Sequence, residues 1–370
     1  MQPNNAVTKR IVAEVIPYLP EKVKYAVLHL DKFIMQEIEE IRLRAGKPVI
    51  ISCFMKDYYL SETGLVFSHP NKGFTTTINE LAEMVFKICE NSWYAFQDDI
   101  NRGFITIKGG HRIGLVGTPV LEDGRIINMR DISSLNVRIA REVLGCGGQL
   151  VEHIINGSRD VFNTLIISPP GLGKTTLLRD IIRNISTGFG SVFKGIKVGV
   201  VDERGEIAAC FQGIPQNDLG YQTDVINGIG KKDGMEILLR SMSPNVISLD
   251  ELGNPWDVST VLQVINAGIR IIATAHGYDI NDVKHRRGFR QLFSEKCFER
   301  IIIISSKNEF EYESKVMDGE GNVIAVDCKI RRKLADYSKF DNGGICIFPS
   351  ANCEDRIHTR NTVLVNGIGK

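Results

Sequence analysis

No stretch of this 370-residue chain approaches the roughly eighteen consecutive apolar residues of a membrane span, and the N-terminal MQPNNAVTKR lacks the apolar centre of a signal peptide. The expectation is a protein kept inside the cell. An excess of charge of either sign is also missing: 45 Lys plus Arg stand against 44 Asp plus Glu. Net charge therefore gives no hint of a nucleic-acid partner, and any basic surface must be local. The interleaving of basic and aromatic residues that single-strand grooves use is absent as well. Eight cysteines (Cys53, Cys89, Cys146, Cys210, Cys297, Cys328, Cys346, Cys353) occur without a C-x-x-C pair or nearby histidines, which favours free buried thiols over zinc ligands or disulfides. No internal repeat and no low-complexity tract is found. The length exceeds one ordinary core, so two domains are expected.

What is there centres on an apolar run, Val161 to Ile167, followed by Ser168-Pro169-Pro170-Gly171-Leu172-Gly173-Lys174-Thr175-Thr176. Leu177, Leu178, Ile181, Ile182 and Ile185 then recur with helical spacing. Strand, glycine-bearing turn and helix together read as a phosphate-binding loop. The turn can point successive backbone N–H groups inward, and the helix N-terminus adds its positive dipole end. Pro170, Gly171, Leu172, Gly173, Lys174, Thr175 and Thr176 are the candidate nucleotide contacts. Lys174 would reach the β- and γ-phosphates, and the Thr175 hydroxyl would take one position on Mg²⁺. Ser168 stands at the first position of the G-x-x-x-x-G-K-[ST] pattern, where glycine is usual.

Three further strand ends belong with this loop. Ser243 to Leu249 is a short apolar run ending in Asp250-Glu251, which puts two carboxylates where open α/β sheets place their ligands. Asp250 would hold Mg²⁺ through its water shell, and Glu251 would orient or deprotonate the attacking water. Lys197 to Val201 ends in Asp202-Glu203-Arg204-Gly205-Glu206, and Arg270 to Ala275 ends in His276-Gly277. Thr274 or His276 could sense the γ-phosphate, and Glu203 could polarise water or the metal shell. A surface histidine capping a strand is the alternative for His276.

In this order the motifs resemble the stage III sporulation protein AA family, a group of ATPases of endospore-forming bacteria related to the motor ATPases of type II and type IV secretion and pilus assembly. The likeness rests on SPPGLGKTTLLRD, VVDERGEIAACFQG, GMEILLRSMSPNVISLDELG and IIATAHG, and reaches into the first half through EEIRLRAGKP and the stretch from GGHRIGLVG to SLNVRIARE. The resemblance implies a RecA-like P-loop NTPase domain, ATP and Mg²⁺ as cofactors, a homo-oligomer in the form of a hexameric ring, and membrane proteins of the same sporulation complex as partners. It implies a cytoplasmic protein attached to the membrane through such a partner. In related motors, arginines of the N-terminal domain approach the nucleotide, which makes Arg112, Arg130, Arg138 and Arg141 candidates. A guanidinium fork suits phosphate oxygens. Arg240, near the start of the Asp250 strand, is a comparable candidate. Surface salt bridges are the alternative for each.

Composition changes character near Gly145-Cys146-Gly147-Gly148. Before it, the sequence predicts a helix near Thr8 to Tyr18, strands at Ile38 to Arg44 and Val49 to Ser52, a helix from Ile78 to Glu90, and a hairpin of Phe104 to Lys108 with Arg112 to Val116. After it come apolar strands at 161–167, 196–201, 244–249, 269–275 and 300–305, alternating with helices, which means a parallel sheet covered on both faces. The expected architecture is an α/β, RecA-like P-loop domain over 149–328, preceded by a smaller α+β domain over 1–148. The stretch 329–370, opening on the basic Lys329, Arg331, Arg332 and Lys333, is expected to be a poorly ordered tail. Together these features point to a secretion-type motor ATPase. Its rivals are a nucleic-acid-dependent RecA-type motor and a slow nucleotide-gated assembly scaffold.

Overall fold

A computed structural model describes residues 5–331, apart from 54, 55, 91, 307–310 and 327–329. Nearly all of the expected tail, with most of its basic cluster, therefore lies outside the described residues. The described chain divides into two compact units, residues 5–97 with 115–137, and residues 98–114 with 138–331.

In the first unit the helix expected near Thr8 to Tyr18 runs as Asn5–Glu14, and Pro17 sits in a separate 3₁₀ turn, Ile16–Tyr18. Proline has no N–H to donate to an α-helix and its ring disfavours the helical conformation before it, so the helix stops. The Ile38–Arg44 strand buries Ile38, Ile41 and Leu43 and pairs antiparallel with Ile50–Cys53. The helix Ile78–Ile88 starts at a capping box, with Thr77 and Glu80 bonded reciprocally, and buries Leu81, Met84, Val85 and Ile88 along one stripe. The expected hairpin is present but falls in the second unit, where Phe104–Thr106 pairs antiparallel with residues 112–114. A long strand, Arg125–Arg138, follows the Asp123-Gly124 turn and was not expected.

The second unit carries a sheet in the spatial order Thr223–Asn227, Val198–Asp202, Val246–Leu249, Arg270–His276, Thr164–Ser168, Arg300–Ser306, Glu311–Asp318, Val323–Val326. The first of these through Arg300–Ser306 pair in parallel, and the remainder add antiparallel. Both faces are buried. Ile166, Val200, Val246 and Ile272 pack into one apolar cluster, while Leu165, Ile167, Val201, Ile247 and Ala273 pack into another. Alternate residues thus serve opposite faces, which is why the strands read as unbroken apolar runs. The strand expected at 161–167 begins at Thr164; Asp160–Val161 pairs instead with Ile155–Asn156 in a two-stranded hairpin. Arg270 holds Asp160 there with two hydrogen bonds, at 3.0 and 2.7 Å.

This order positions the site. The Arg270–His276 strand lies between the phosphate-loop strand and the Asp250 strand, with Ser168 opposite His276 and Leu249 opposite Ala273. The carboxyl ends of neighbouring parallel strands therefore open onto one sheet edge, the place such sheets offer to ligands.

Candidate functional site

Gly171 and Gly173 have φ of 78° and 83°. A Cβ at either would meet no atom within 4 Å, so glycine is required there by backbone conformation and not by crowding. Gly173 precedes the first residue of the Lys174–Thr187 helix. From that first turn the Lys174 side chain, 8% exposed, reaches Glu251 Oε1 at 3.1 Å and lies 3.3 Å from His276 Nε2. The neighbouring Thr175 hydroxyl donates to Asp250 Oδ2 at 2.5 Å.

The Asp250 carboxylate also accepts from the Thr274 hydroxyl, whose oxygen takes the Glu251 N–H at 2.8 Å. Glu251 itself sits at φ 54°, a left-handed conformation that costs a non-glycine residue energy. That conformation turns its side chain to three partners: Lys174, His276 Nε2 at 2.8 Å, and Arg204. Burial pushes the Glu251 carboxyl up. The hydrogen bond and charge of Lys174, with the charges of Arg204 and His276, outweigh that and hold it below the ordinary carboxylate range. The Nδ1 of His276 is buried without a hydrogen-bond partner.

Lys174, Thr175, Asp250, Glu251, Thr274 and His276 are thus brought into one network by residues far apart in the chain. Among the described residues, no group of three or more His, Cys, Asp or Glu side chains is arranged to hold a metal ion. A cation here would rest on the Thr175 hydroxyl and the Asp250 carboxylate, with water and phosphate oxygens completing the shell. Those two hard oxygen donors, already in contact, fit Mg²⁺, which keeps most of its waters.

Of the other candidates, Glu203 lines one pocket with Asp250 and Glu251 and pairs with Lys231. Arg112 donates to the Arg204 carbonyl, lies 3.6 Å from the Glu206 carboxylate, and stacks 4.5 Å over the Phe104 ring. Arg240 pairs with Glu236 at 3.2 Å on an exposed helix face, and Arg130 lies 3.7 Å from Asp131. Arg138 and Arg141 are exposed. Asp202 is committed to the fold: its carboxylate accepts the N–H groups of Glu206, Ile207 and Ala208 at 2.8, 3.2 and 2.8 Å. Sequence reasoning missed Arg204 and Lys231. The only signal for either was its place beside a motif, since both partners are distant in sequence.

A family model described as "Sporulation stage III, protein AA" matches residues 13–324. Stage III sporulation protein AA of Bacillus subtilis (strain 168) is 36% identical over 312 residues, which cover 84% of this chain and 97% of that protein. Among solved structures, the pilus retraction motor PilT with bound ADP superposes with a TM-score of 0.52 at 13% identity, covering 76% of this chain and 79% of its own. The Legionella pneumophila ATPase DotB does so with a TM-score of 0.50 at 14% identity, over 76% and 77%. These likenesses establish the RecA-like P-loop fold.

Proposed function

The chain belongs to the stage III sporulation protein AA family, and from that premise we propose that it is a Mg²⁺-dependent ATPase working as a ring-shaped homo-oligomer, hexameric by its kinship, that powers or assembles a secretion-like membrane complex during endospore formation. The observation that carries the catalytic part is the contact of Lys174 and Thr175 with Glu251 and Asp250 across three strand ends. Lys174 exchanges its carboxylate partner for the β- and γ-phosphate oxygens when nucleotide enters. That exchange frees Glu251 to align a water with the γ-phosphorus. His276 and Thr274, on the intervening strand, report the γ-phosphate to the Asp250-Glu251 pair. Thr175 and Asp250 would hold Mg²⁺, which neutralises phosphate charge as it develops. Further positive charge comes in trans from an arginine of a neighbouring subunit.

Binding and hydrolysis separate in the test. Lys174→Ala should abolish ATP binding, whereas Glu251→Gln should bind ATP and lose turnover by ~10²- to 10⁴-fold. Equal loss of binding in both would refute the role assignment. Specific activity should rise with protein concentration as subunits assemble, because an arginine in trans typically contributes ~10³- to 10⁵-fold. Flat activity across the assembly transition, followed by light scattering, removes the ring. No helix among the described residues is long and apolar enough to cross a membrane, so attachment should depend on a membrane-protein partner. The ATPase should also ignore DNA at moderate salt; several-fold stimulation with a steep inverse salt dependence would put a nucleic-acid motor in its place.

A further inference from the structure

Gly199, Val201 and Glu203 alternate along the Val198–Asp202 strand and just past its end, and Leu238, Gly234 and Lys231 follow one face of the Lys231–Ser241 helix in the opposite sense. A Cβ on Gly199 would lie 3.0 Å from Leu238 Cδ1, and one on Gly234 would lie 2.6 Å from Val201 Cγ1. Two glycines, one on each element, thus let helix and strand approach closely. The third rung is the Lys231–Glu203 ion pair, in which the lysine side chain is 9% exposed.

Nothing in the helix itself accounts for this lysine. It occupies the first helical position, where a cation opposes the macrodipole, and Gly230 before it supplies no side-chain cap. A buried ammonium is expensive to desolvate. Asp257, buried in the first turn of the Pro255–Asn266 helix, lies within the field of both Lys231 and Glu203. Local rules broken together in this way mark a site. Lys231 and Glu203 also line one pocket with Arg204, Asp250 and Glu251.

We propose that Lys231 is a positioning residue of the ATPase site: its ammonium fixes the Glu203 carboxylate toward the pocket that Asp250 and Glu251 share, so that Glu203 holds the attacking water from the side opposite Glu251. This rests on the ATPase reading above. Glu251 is engaged by Lys174, Arg204 and His276, and Glu203, held by Lys231 on the same pocket, is a further carboxylate with an oxygen able to accept from that water. Lys231 acts only through Glu203.

The test is a double-mutant cycle on the full chain, reading kcat, affinity for a fluorescent ATP analogue and the melting temperature without nucleotide. Lys231→Met should lower kcat by ~10- to 100-fold, the scale of misplacing a reacting group by about an ångström, while analogue affinity changes less than about threefold. Lys231→Arg should recover most of the rate. In a Glu203→Gln background, Lys231→Met should add no further loss. Independent, multiplying losses, or a loss confined to analogue affinity, would overturn the proposal. If Lys231→Met does not fold, Lys231→Arg and Glu203→Gln decide it: unchanged kcat in Glu203→Gln is fatal. Wild-type protein that binds the analogue yet shows no Mg²⁺-dependent turnover at any concentration refutes the parent reading. Normal wild-type turnover with an unaffected Lys231→Met refutes this inference alone.

Discussion

In the first unit the inward faces of Ile38–Arg44 and Ile50–Cys53 bury apolar side chains, and Thr76 is the one buried polar side chain there among the described residues. The second unit buries Lys174, Asp180, Asp202, Lys231, Asp257, Ser168 and Thr274, among others. Since a buried charge costs several kcal/mol unless it is paired, such an accumulation needs a reason. Two reasons separate on inspection of the partners. Asp202 spends its oxygens on backbone, and Asp180 holds backbone together with its own helix neighbour: it takes the N–H groups of Gly145 and Gly147 at 2.9 and 2.7 Å and the Arg183 guanidinium at 2.8 Å. Those carboxylates hold loops. Lys174, Glu251, Lys231 and Glu203 bond to one another's side chains, and only such groups can change partners when a ligand arrives. Burial of charge therefore marks the unit, and the kind of partner marks the chemistry.

The sharpest way to break this comparison is to damage each unit by a similar amount. Ile41→Ala, at a fully buried position of the first unit, should cost ~2–5 kcal/mol of stability through lost transfer energy and a cavity. Affinity for an ATP analogue should stay within about twofold at a temperature where the variant is folded. A collapse of affinity would mean the first unit shapes the site directly. Asp180→Ala comes next, at ~2–4 kcal/mol, because it strands two backbone N–H groups and the Arg183 guanidinium, 2.8 Å from the carboxylate. Denaturant unfolding should show that loss without nucleotide. Asp180→Asn should recover part of it, since an amide oxygen still accepts.

The same distinction governs what could be read from the sequence. The turn at Gly171 and Gly173 and the helix that starts at Lys174 are legible because such a strand–turn–helix is built from contiguous backbone, so its requirements are written in consecutive residues. Asp250-Glu251 and His276 are legible because each closes an apolar run. The order of the strands is not, since nothing local says that Arg270–His276 inserts between the runs ending at Ser168 and Leu249. The partners of Arg204 and Lys231 depend on that order, and so were invisible. Thr223–Asn227 was missed because an edge strand of half-buried residues lacks the apolar run that betrays a central one. Glu311–Asp318 and Val323–Val326 escaped for want of the strand–helix alternation that identified the parallel part.

A smaller effect separates Glu251 from an ordinary surface acid by pH. Its carboxyl is held below the usual range by Lys174, Arg204 and His276 against the upward push of burial. A depressed folded pKa gives stability that is fully present above the unfolded value, about 4.3, and is lost as pH falls through the folded one. Wild-type protein should therefore melt higher than Glu251→Gln at neutral pH, and the gap should close progressively below about pH 5. A gap that stays constant from pH 7 to pH 3.5 would show that the carboxylate's charge does not stabilise the nucleotide-free state.

The smallest expected effect is also the most discriminating for the arginines. Arg240 pairs with Glu236 one helical turn away, with an arginine side chain 77% exposed. Such i,i+4 pairs contribute roughly 0.3–0.5 kcal/mol and are screened by salt. Arg240→Ala should therefore shift the melting temperature by a degree or so, less at 0.5 M salt, and leave turnover per subunit unchanged at every protein concentration. Arg112, by contrast, is bound to the Arg204 carbonyl and the Glu206 carboxylate, and Arg204 in turn holds Glu251. Arg112→Ala should lower turnover in dilute and concentrated protein alike, because it loosens that loop within its own chain. If Arg240→Ala instead loses activity only at concentrations where subunits assemble, its exposed pairing with Glu236 is a resting arrangement and its working partner is the nucleotide of the next subunit.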